Sequence, residues 1–147
     1  MIKEITALET FLVRHAVLRA DKNIESCRFE GDNLQTTKHF GFFDEDKLIG
    51  VASVYEVSQN HFSEIKRLQL RGMAVLESYQ KKGIGKELIF FIEKHALENQ
   101  INLIWFNARI SAVLFYEKLG YDRFGKEFDI PEIGKHFVMQ KRFNVKN

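Results

Sequence analysis

Three lysines and two glycines fall within six residues, Lys81-Lys82-Gly83-Ile84-Gly85-Lys86, directly after Gln80. This is where the basic residues of the chain gather; elsewhere they are scattered. The chemistry open to such a stretch is anion binding, provided it sits at the start of a helix. The first N–H groups of a helix have no intrahelical acceptor and lie at the positive end of its dipole. Glycine lets an anion approach the backbone, and lysine adds charge. Together these favour a phosphate or pyrophosphate.

The flanking residues supply that helix. From Gly83 on, Ile84, Leu88, Phe91, Ile92 and His95 recur on one helical face, which predicts a helix from Gly83 to about Glu98. Before the loop, Leu68, Leu70, Met73 and Val75 mark Arg67 to Val75 as a strand, and Glu77 to Lys82 reads as a polar turn. A strand thus runs through a tight loop into an amphipathic helix. Two phosphate-binding patterns fail on this loop. A P-loop needs G-x-x-x-x-G-K-[ST], but Gln80 stands at the first Gly and Glu87 at the Ser or Thr. A dinucleotide fingerprint needs a third small residue, where this chain has Leu88.

A third pattern fits. Gln80, Gly83 and Gly85 match Q/R-x-x-G-x-G/A, which resembles the acetyl-CoA loop of the GNAT N-acetyltransferases. Downstream, SAVLFYEKLGY from Ser111 to Tyr121 resembles that family's A-x-x-x-Y-x-x-x-G-[FY] helix through Ala112, Tyr116, Gly120 and Tyr121. A predicted strand, Ile101 to Phe106, lies between the two. The segments LRGMA, NAR-x-x-A and F-x-I-P-x-I-G-x-H resemble a bacterial GNAT subgroup whose acceptors are mostly unassigned.

The resemblance implies an α/β (α+β) GNAT fold. Its sheet is mixed and mostly antiparallel, flanked by helices, with parallel fourth and fifth strands splayed around the cofactor. It implies acetyl transfer from acetyl-CoA to a primary amine of a small molecule, by direct attack in a ternary complex. The Lys81, Lys82, Gly83, Ile84, Gly85 and Lys86 backbone would hold the pyrophosphate beside Gln80. Met73, Ala74 and Val75 would pair with the pantetheine arm like an added strand. One N–H near Gly72 or Met73 would face the thioester oxygen. Tyr116 stands where relatives carry a general acid for the leaving thiolate; otherwise it is a packing aromatic. The family's Asn before the helix is replaced by Arg109, and Asn107 is the residue expected to contact the cofactor. For a base, His136, His39, Glu30, Asp32 and water all remain open.

Alternation in Arg67–Val75 sets Gln69 and Arg71 opposite Leu68 and Leu70. Arg71, Arg109 and His136 are the expected substrate-binding residues, for an acceptor carrying an anionic group beside its amine. The alternative for Arg71 is pairing with a neighbouring acid on an exposed face. Alternatives for the whole chain are protein N-terminal or lysine acetylation, and a catalytically silent acyl-CoA-binding module.

At 147 residues the chain is read as one domain, 1–147, with room for a core. A net charge of +2 gives no reason to expect nucleic acid. Cys27 is the only cysteine, which excludes an internal disulfide and a Cys-rich metal site and suits a cytoplasmic protein. No metal-ligand spacing, membrane-length apolar run or signal sequence is found. A homodimer would be common among relatives. Of the remaining elements, Met1–Thr6 reads as a strand and Leu8–Ala20 as a helix with Leu8, Leu12, His15 or Ala16, and Arg19 on one face. Arg14 and Arg19 fit a solvated helix face better than a substrate contact. Asp21–Thr37 is irregular, with a turn at Gly31-Asp32-Asn33. Lys38–Phe43 and Leu48–Val57 form a hairpin and Ser58–Lys66 a polar connection. Ser111–Leu119 is a helix stopped by Gly120. Tyr121–Phe128 and His136–Arg142 close with a second hairpin around Pro131 and Gly134. Phe90, Phe91, His95 and Trp105 are expected in the core.

Overall fold

A computed structural model describes residues 1–56 and 66–144. The expected end of a strand at Val57, and Ser58–Ile65 of the polar connection, lie outside them. The chain divides into two compact units, Met1–Glu56 with Leu70–His95, and Val57–Gln69 with Ala96–Asn147.

In the first unit β1 (Ile2–Ile5) pairs antiparallel with β2 (Lys38–Asp44), and β2 with β3 (Lys47–Glu56). Next to β3 comes β4 (Arg67–Val75), whose last residues belong to this unit. Every residue of β3 from Ile49 to Tyr55 is buried, the mark of a strand covered on both faces. On one face lies α1 (Phe11–Leu18), entered through a 3-10 turn at Leu8–Thr10; Val13 joins Ile5, Val51 and Ala74 in a core cluster. Thr6 and Glu9 start this helix with a reciprocal capping box: the Glu9 N–H donates to Thr6 Oγ1 at 3.2 Å and the Thr6 N–H to Glu9 Oε1 at 2.9 Å. On the other face lies α2 (Ile84–Glu98), burying Ile84, Leu88 and Ile92 as its periodicity predicts. Gly50 permits that packing, because a Cβ there would already meet Ile84 and Leu88 at 3.4 Å.

The second unit contains the start of β4, paired in parallel with β5 (Leu103–Arg109) over Arg67–Gln69 and Leu103–Trp105. β5 then pairs antiparallel with β7 (Gly134–Arg142), and β7 with the edge strand β6 (Asp122–Ile130). Between β5 and β6 stands α3 (Val113–Lys118), entered through a 3-10 turn at Ile110–Ala112. It ends as expected at Gly120. The Gly120 N–H donates to the Glu117 carbonyl at 3.0 Å and the Tyr121 N–H to that of Tyr116 at 3.1 Å, a Schellman closure.

Several expectations need correction. β5 begins two residues later than expected and runs to Arg109, because the Ile101 N–H closes α2 by donating to the Ala96 carbonyl at 2.8 Å. Asn107 and Arg109 are therefore strand residues. Phe90 is 48% exposed, turned away from the Leu88–Ile92 face, with Lys86 Nζ 5.6 Å from its ring. Trp105 is only half-buried. On α1 the face of Leu8 and Leu12 is the solvent face (70% and 74% exposed), and the buried residues are Thr10, Phe11, Val13 and Arg14. Phe91 and His95 do pack as expected, with ring centroids 5.2 Å and 5.3 Å from that of Phe40.

Candidate active site

In the first unit β4 delivers the chain to the lysine-rich loop through a 3-10 turn, Glu77–Tyr79. The Gln80 side chain donates to the Val75 carbonyl at 2.8 Å, tying the loop to the end of the strand. Gln80 thus fixes the loop's shape, and one lone pair of the Val75 carbonyl is already used. Lys81 and Gly83 have φ of 62° and 83°, so the chain reverses here through the left-handed region. A Cβ on Gly83 would meet nothing within 4 Å, which leaves the space before the helix open. The Glu87 N–H donates to the Gly83 carbonyl at 3.0 Å. The N–H groups of Ile84, Gly85 and Lys86 therefore lie at the helix end that lacks acceptors. Lys81, Lys82 and Lys86 are exposed around them. Positive charge, free donors and an open approach fit the diphosphate of a coenzyme A thioester.

Beside the loop's strand lies a cluster that local sequence patterns did not reveal. Arg14 is fully buried (0% exposed), so the solvated-face reading of this residue is wrong. Its Nη1 donates to the Cys27 carbonyl and to Asp32 Oδ2, both at 2.7 Å. Its Nη2 donates to Asp32 Oδ1 at 3.2 Å, Ser53 Oγ at 3.0 Å and the Tyr55 hydroxyl at 3.2 Å. Tyr55 donates in turn to Asp32 Oδ1 at 2.5 Å, and the Phe29 N–H to Oδ2 at 2.9 Å. His39 completes the network, with Nδ1 2.6 Å from Ser53 Oγ and Nε2 2.9 Å from the Asp32 carbonyl. Since that carbonyl can only accept, Nε2 carries the hydrogen and Nδ1 accepts from Ser53.

Burial alone would raise the Asp32 carboxyl, but hydrogen bonds from Arg14, Tyr55 and the Phe29 N–H hold it below the usual carboxylate range. Burial, then the bond to Asp32, pushes the Tyr55 hydroxyl up to about 12. Both oxygens of Asp32 and both ring nitrogens of His39 are thus engaged within the network. Arg14 shares the helix face of Thr10 and Phe11, and once that face is buried its charge must find a buried partner. That partner lies 18 residues away, and Tyr55 lies 41 away.

This cluster supports the bend of β4. Gly72 has φ of 65°, and a Cβ there would lie 3.0 Å from the Phe29 ring and 3.2 Å from Arg14 Nε. Up to that bend the expected alternation holds, with Leu68 and Leu70 buried and Gln69 and Arg71 half-buried. Arg71 has its guanidinium carbon 5.1 Å from the Phe29 centroid and 5.3 Å from that of Tyr55. Among the described residues no carboxylate pairs with it. The alternative of an exposed ion pair is therefore not what the structure shows. Met73 and Val75 are half-buried and Ala74 is buried.

In the second unit the strand register sets Arg109 opposite His136 and Asn107 opposite Val138. Asn107 and Arg109 are exposed; His136 is buried, with its Nδ1 2.8 Å from the Gly134 carbonyl, so Nδ1 carries a hydrogen. Tyr116 is half-buried against Phe106, Phe115 and Tyr121, at centroid distances of 4.4, 5.0 and 6.2 Å. Burial pushes its hydroxyl up to about 12. Among the described residues that hydroxyl has no hydrogen-bond partner, and no cluster of three metal-ligating side chains is found. Among the described residues no helix is long and apolar enough to cross a membrane.

A strand that bends before a glycine-containing helix head, within a mixed α/β fold, is the arrangement that the resemblance to the GNAT family implies. Comparison with known proteins agrees. The profile of the Acetyltransferase (GNAT) family matches residues 5–121, and the chain belongs to that family. It is 38% identical over 140 residues to an uncharacterized N-acetyltransferase, YitI, of Bacillus subtilis, covering 95% of this chain and 94% of the relative. Its fold matches the ribosomal-protein-S18-alanine N-acetyltransferase of Escherichia coli with a TM-score of 0.80 at 15% identity, covering 100% of this chain and 96% of that one. It also matches an aminoglycoside 6'-N-acetyltransferase complexed with coenzyme A, with a TM-score of 0.76 at 16% identity, covering 100% and 99%. Those two names point to very different acceptors, so the shared fold does not identify the acceptor of this chain.

Proposed function

We propose that this chain is a single cytoplasmic acetyltransferase domain that moves the acetyl group of acetyl-CoA to a primary amine of a small molecule. The observation that carries this reading is the open, lysine-lined helix head at Lys81–Lys86, tied by Gln80 to β4. Acetyl-CoA supplies the acyl group as a thioester: the amine nitrogen attacks its carbonyl, a C–N bond forms and the C–S bond breaks. The chain's own residues bind, orient and stabilise charge. The Ile84, Gly85 and Lys86 N–H groups and the three lysines hold the diphosphate. Met73, Ala74 and Val75 offer backbone groups to the pantetheine arm, and an N–H at Gly72 or Met73 serves the developing oxyanion. Asn107 is a further cofactor contact.

Tyr116 acts on the leaving sulfur. With a hydroxyl at about 12 it stays protonated throughout the neutral range. Full transfer to a thiolate of pKa about 8.5 would be uphill by roughly 4–5 kcal/mol. The hydroxyl therefore serves as a hydrogen-bond donor to the developing thiolate, which takes its proton from solvent. The proton shed by the amine goes to water.

Two measurements test this. Acetyl-CoA at about 100 times its Kd should add roughly 2.7 kcal/mol to stability, with ATP and NADH adding far less. Thiol release should follow addition of a small amine. Equal stabilisation by all three nucleotides would sink the loop assignment. Turnover with peptide amines alone would assign a protein acetyltransferase instead.

A further inference from the structure

The ring of Phe29 gathers three guanidinium groups. The carbon of Arg14 lies 4.0 Å from its centroid, that of Arg71 5.1 Å and that of Arg19 5.6 Å. Only Arg14 is neutralised, by the bidentate bond to Asp32. Asp32 is fully committed, since both its oxygens also accept from Tyr55 or the Phe29 N–H. Arg19 and Arg71 are half-buried, and no described carboxylate lies within 4 Å of either. Two positive charges are thus held around one aromatic ring with no counter-ion from the described residues. Like charges at such a site repel, and partial burial weakens the solvent screening that would relieve them. No described residue accepts a hydrogen bond from either guanidinium, so donors that match a carboxylate or phosphate stay available beside the ring.

We propose that Arg71 and Arg19, gathered at the ring of Phe29 with Arg71 also near Tyr55, bind an anionic group of the acceptor. The acceptor is then an amine that also carries a carboxylate or a phosphate. This rests on the acetyltransferase reading above and names the substrate class of that site. The position suits the task. Arg71 immediately precedes Gly72, the bend of β4, and Arg14 braces both Phe29 and Gly72 from within. An anion held at Arg71 would set its amine at a fixed reach from the backbone proposed to hold the thioester. Arg14 and Asp32 are positioning residues here; Arg71 and Arg19 touch the substrate.

The test uses the full chain saturated with coenzyme A, so that the lysine loop is filled, and titrates succinate and inorganic phosphate while following the melting temperature. One or both should stabilise the wild type, and the shift should vanish in Arg71→Gln and Arg19→Gln. Arg71→Lys, which keeps the charge but not the fork, should retain part of it. No stabilisation by either anion, or equal stabilisation of the wild type and both Gln variants, overturns the proposal. In parallel, acetyl transfer is compared within matched pairs, an amino acid against its amide and an amino-alkyl phosphate against the amino alcohol. The acidic member of at least one pair should lead by about tenfold or more in kcat/KM. Arg71→Gln should raise its KM while leaving the KM of acetyl-CoA unchanged. A lead for the neutral members also overturns the proposal. If an anion stabilises the protein but no amine is acetylated, the anion site stands and the catalytic reading falls.

Discussion

At the head of α2, Lys81, Lys82 and Lys86 stand exposed around helix N–H groups that lack acceptors, whereas Arg14 on α1 is wholly buried with its Nη donors all engaged. Both regions are cationic, and both belong to the first unit. The loop keeps its charge and donors for something outside the chain. The Arg14 cluster spends them within the fold, on Asp32, Ser53, Tyr55 and a backbone carbonyl. Removing a buried partner strands a desolvated charge, whereas removing a solvated one changes little until a ligand arrives. The loop should therefore be sensitive in binding, and the cluster in folding.

Arg14→Ala separates them most sharply. It leaves the Asp32 carboxylate buried without its cation, and urea unfolding should show a loss of about 3–5 kcal/mol. Lys82→Ala should stay within about 0.5 kcal/mol of wild type in the same assay. If Arg14→Ala were equally neutral, the two regions would not differ in the way described.

Gly85→Val probes the loop. A branched side chain beside the free N–H groups should weaken acetyl-CoA by on the order of 100-fold, about 2.7 kcal/mol by calorimetry, while the protein still folds. Unchanged affinity would remove the phosphate role from this helix head.

Tyr116→Phe removes one hydroxyl. A hydrogen bond to a charged group is worth about 1.5–3 kcal/mol, so kcat should fall by about 10 to 100 times with little change in the KM of acetyl-CoA. Wild-type kcat in a folded variant would leave Tyr116 as packing beneath Phe106.

The smallest effect is in pH. Asp32 is held below its ordinary value in the folded state, so it binds its proton more readily when unfolded. Its contribution is present above the unfolded value of about 3.9 and is lost as pH falls through the folded one. Urea titrations at successive acid pH values should show wild-type stability falling more steeply than that of Asp32→Asn. Tyr55 and Tyr116 shift the other way. Their contribution is full below about 10 and is lost as pH rises through about 12. Ultraviolet titration should find Tyr55 and Tyr116 ionising late, with Tyr79 also shifted up by its hydrogen bond to Asp44.

By itself the sequence determined what is local. Arg67–Val75 is β4 residue for residue, the apolar spacing from Ile84 to Ile92 faces the core, and Gly120 ends α3. Spacing of 2 and 3.6 residues, a glycine stop and a helix head are physics of neighbouring residues; the family itself came from the resemblance of Gln80, Gly83 and Gly85, and of Ala112, Tyr116, Gly120 and Tyr121, to its motifs. Tertiary structure alone decided which face of α1 is buried, since Phe11 and Val13 compete there with Leu8 and Leu12 for one core. It also decided the state of Arg14 and of Arg71. Whether an arginine meets solvent, an acid or an aromatic ring depends on residues tens of positions away, such as Asp32 and Tyr55. Long-range partners leave no period in the chain; they exist only once the strands and loops that carry them have packed.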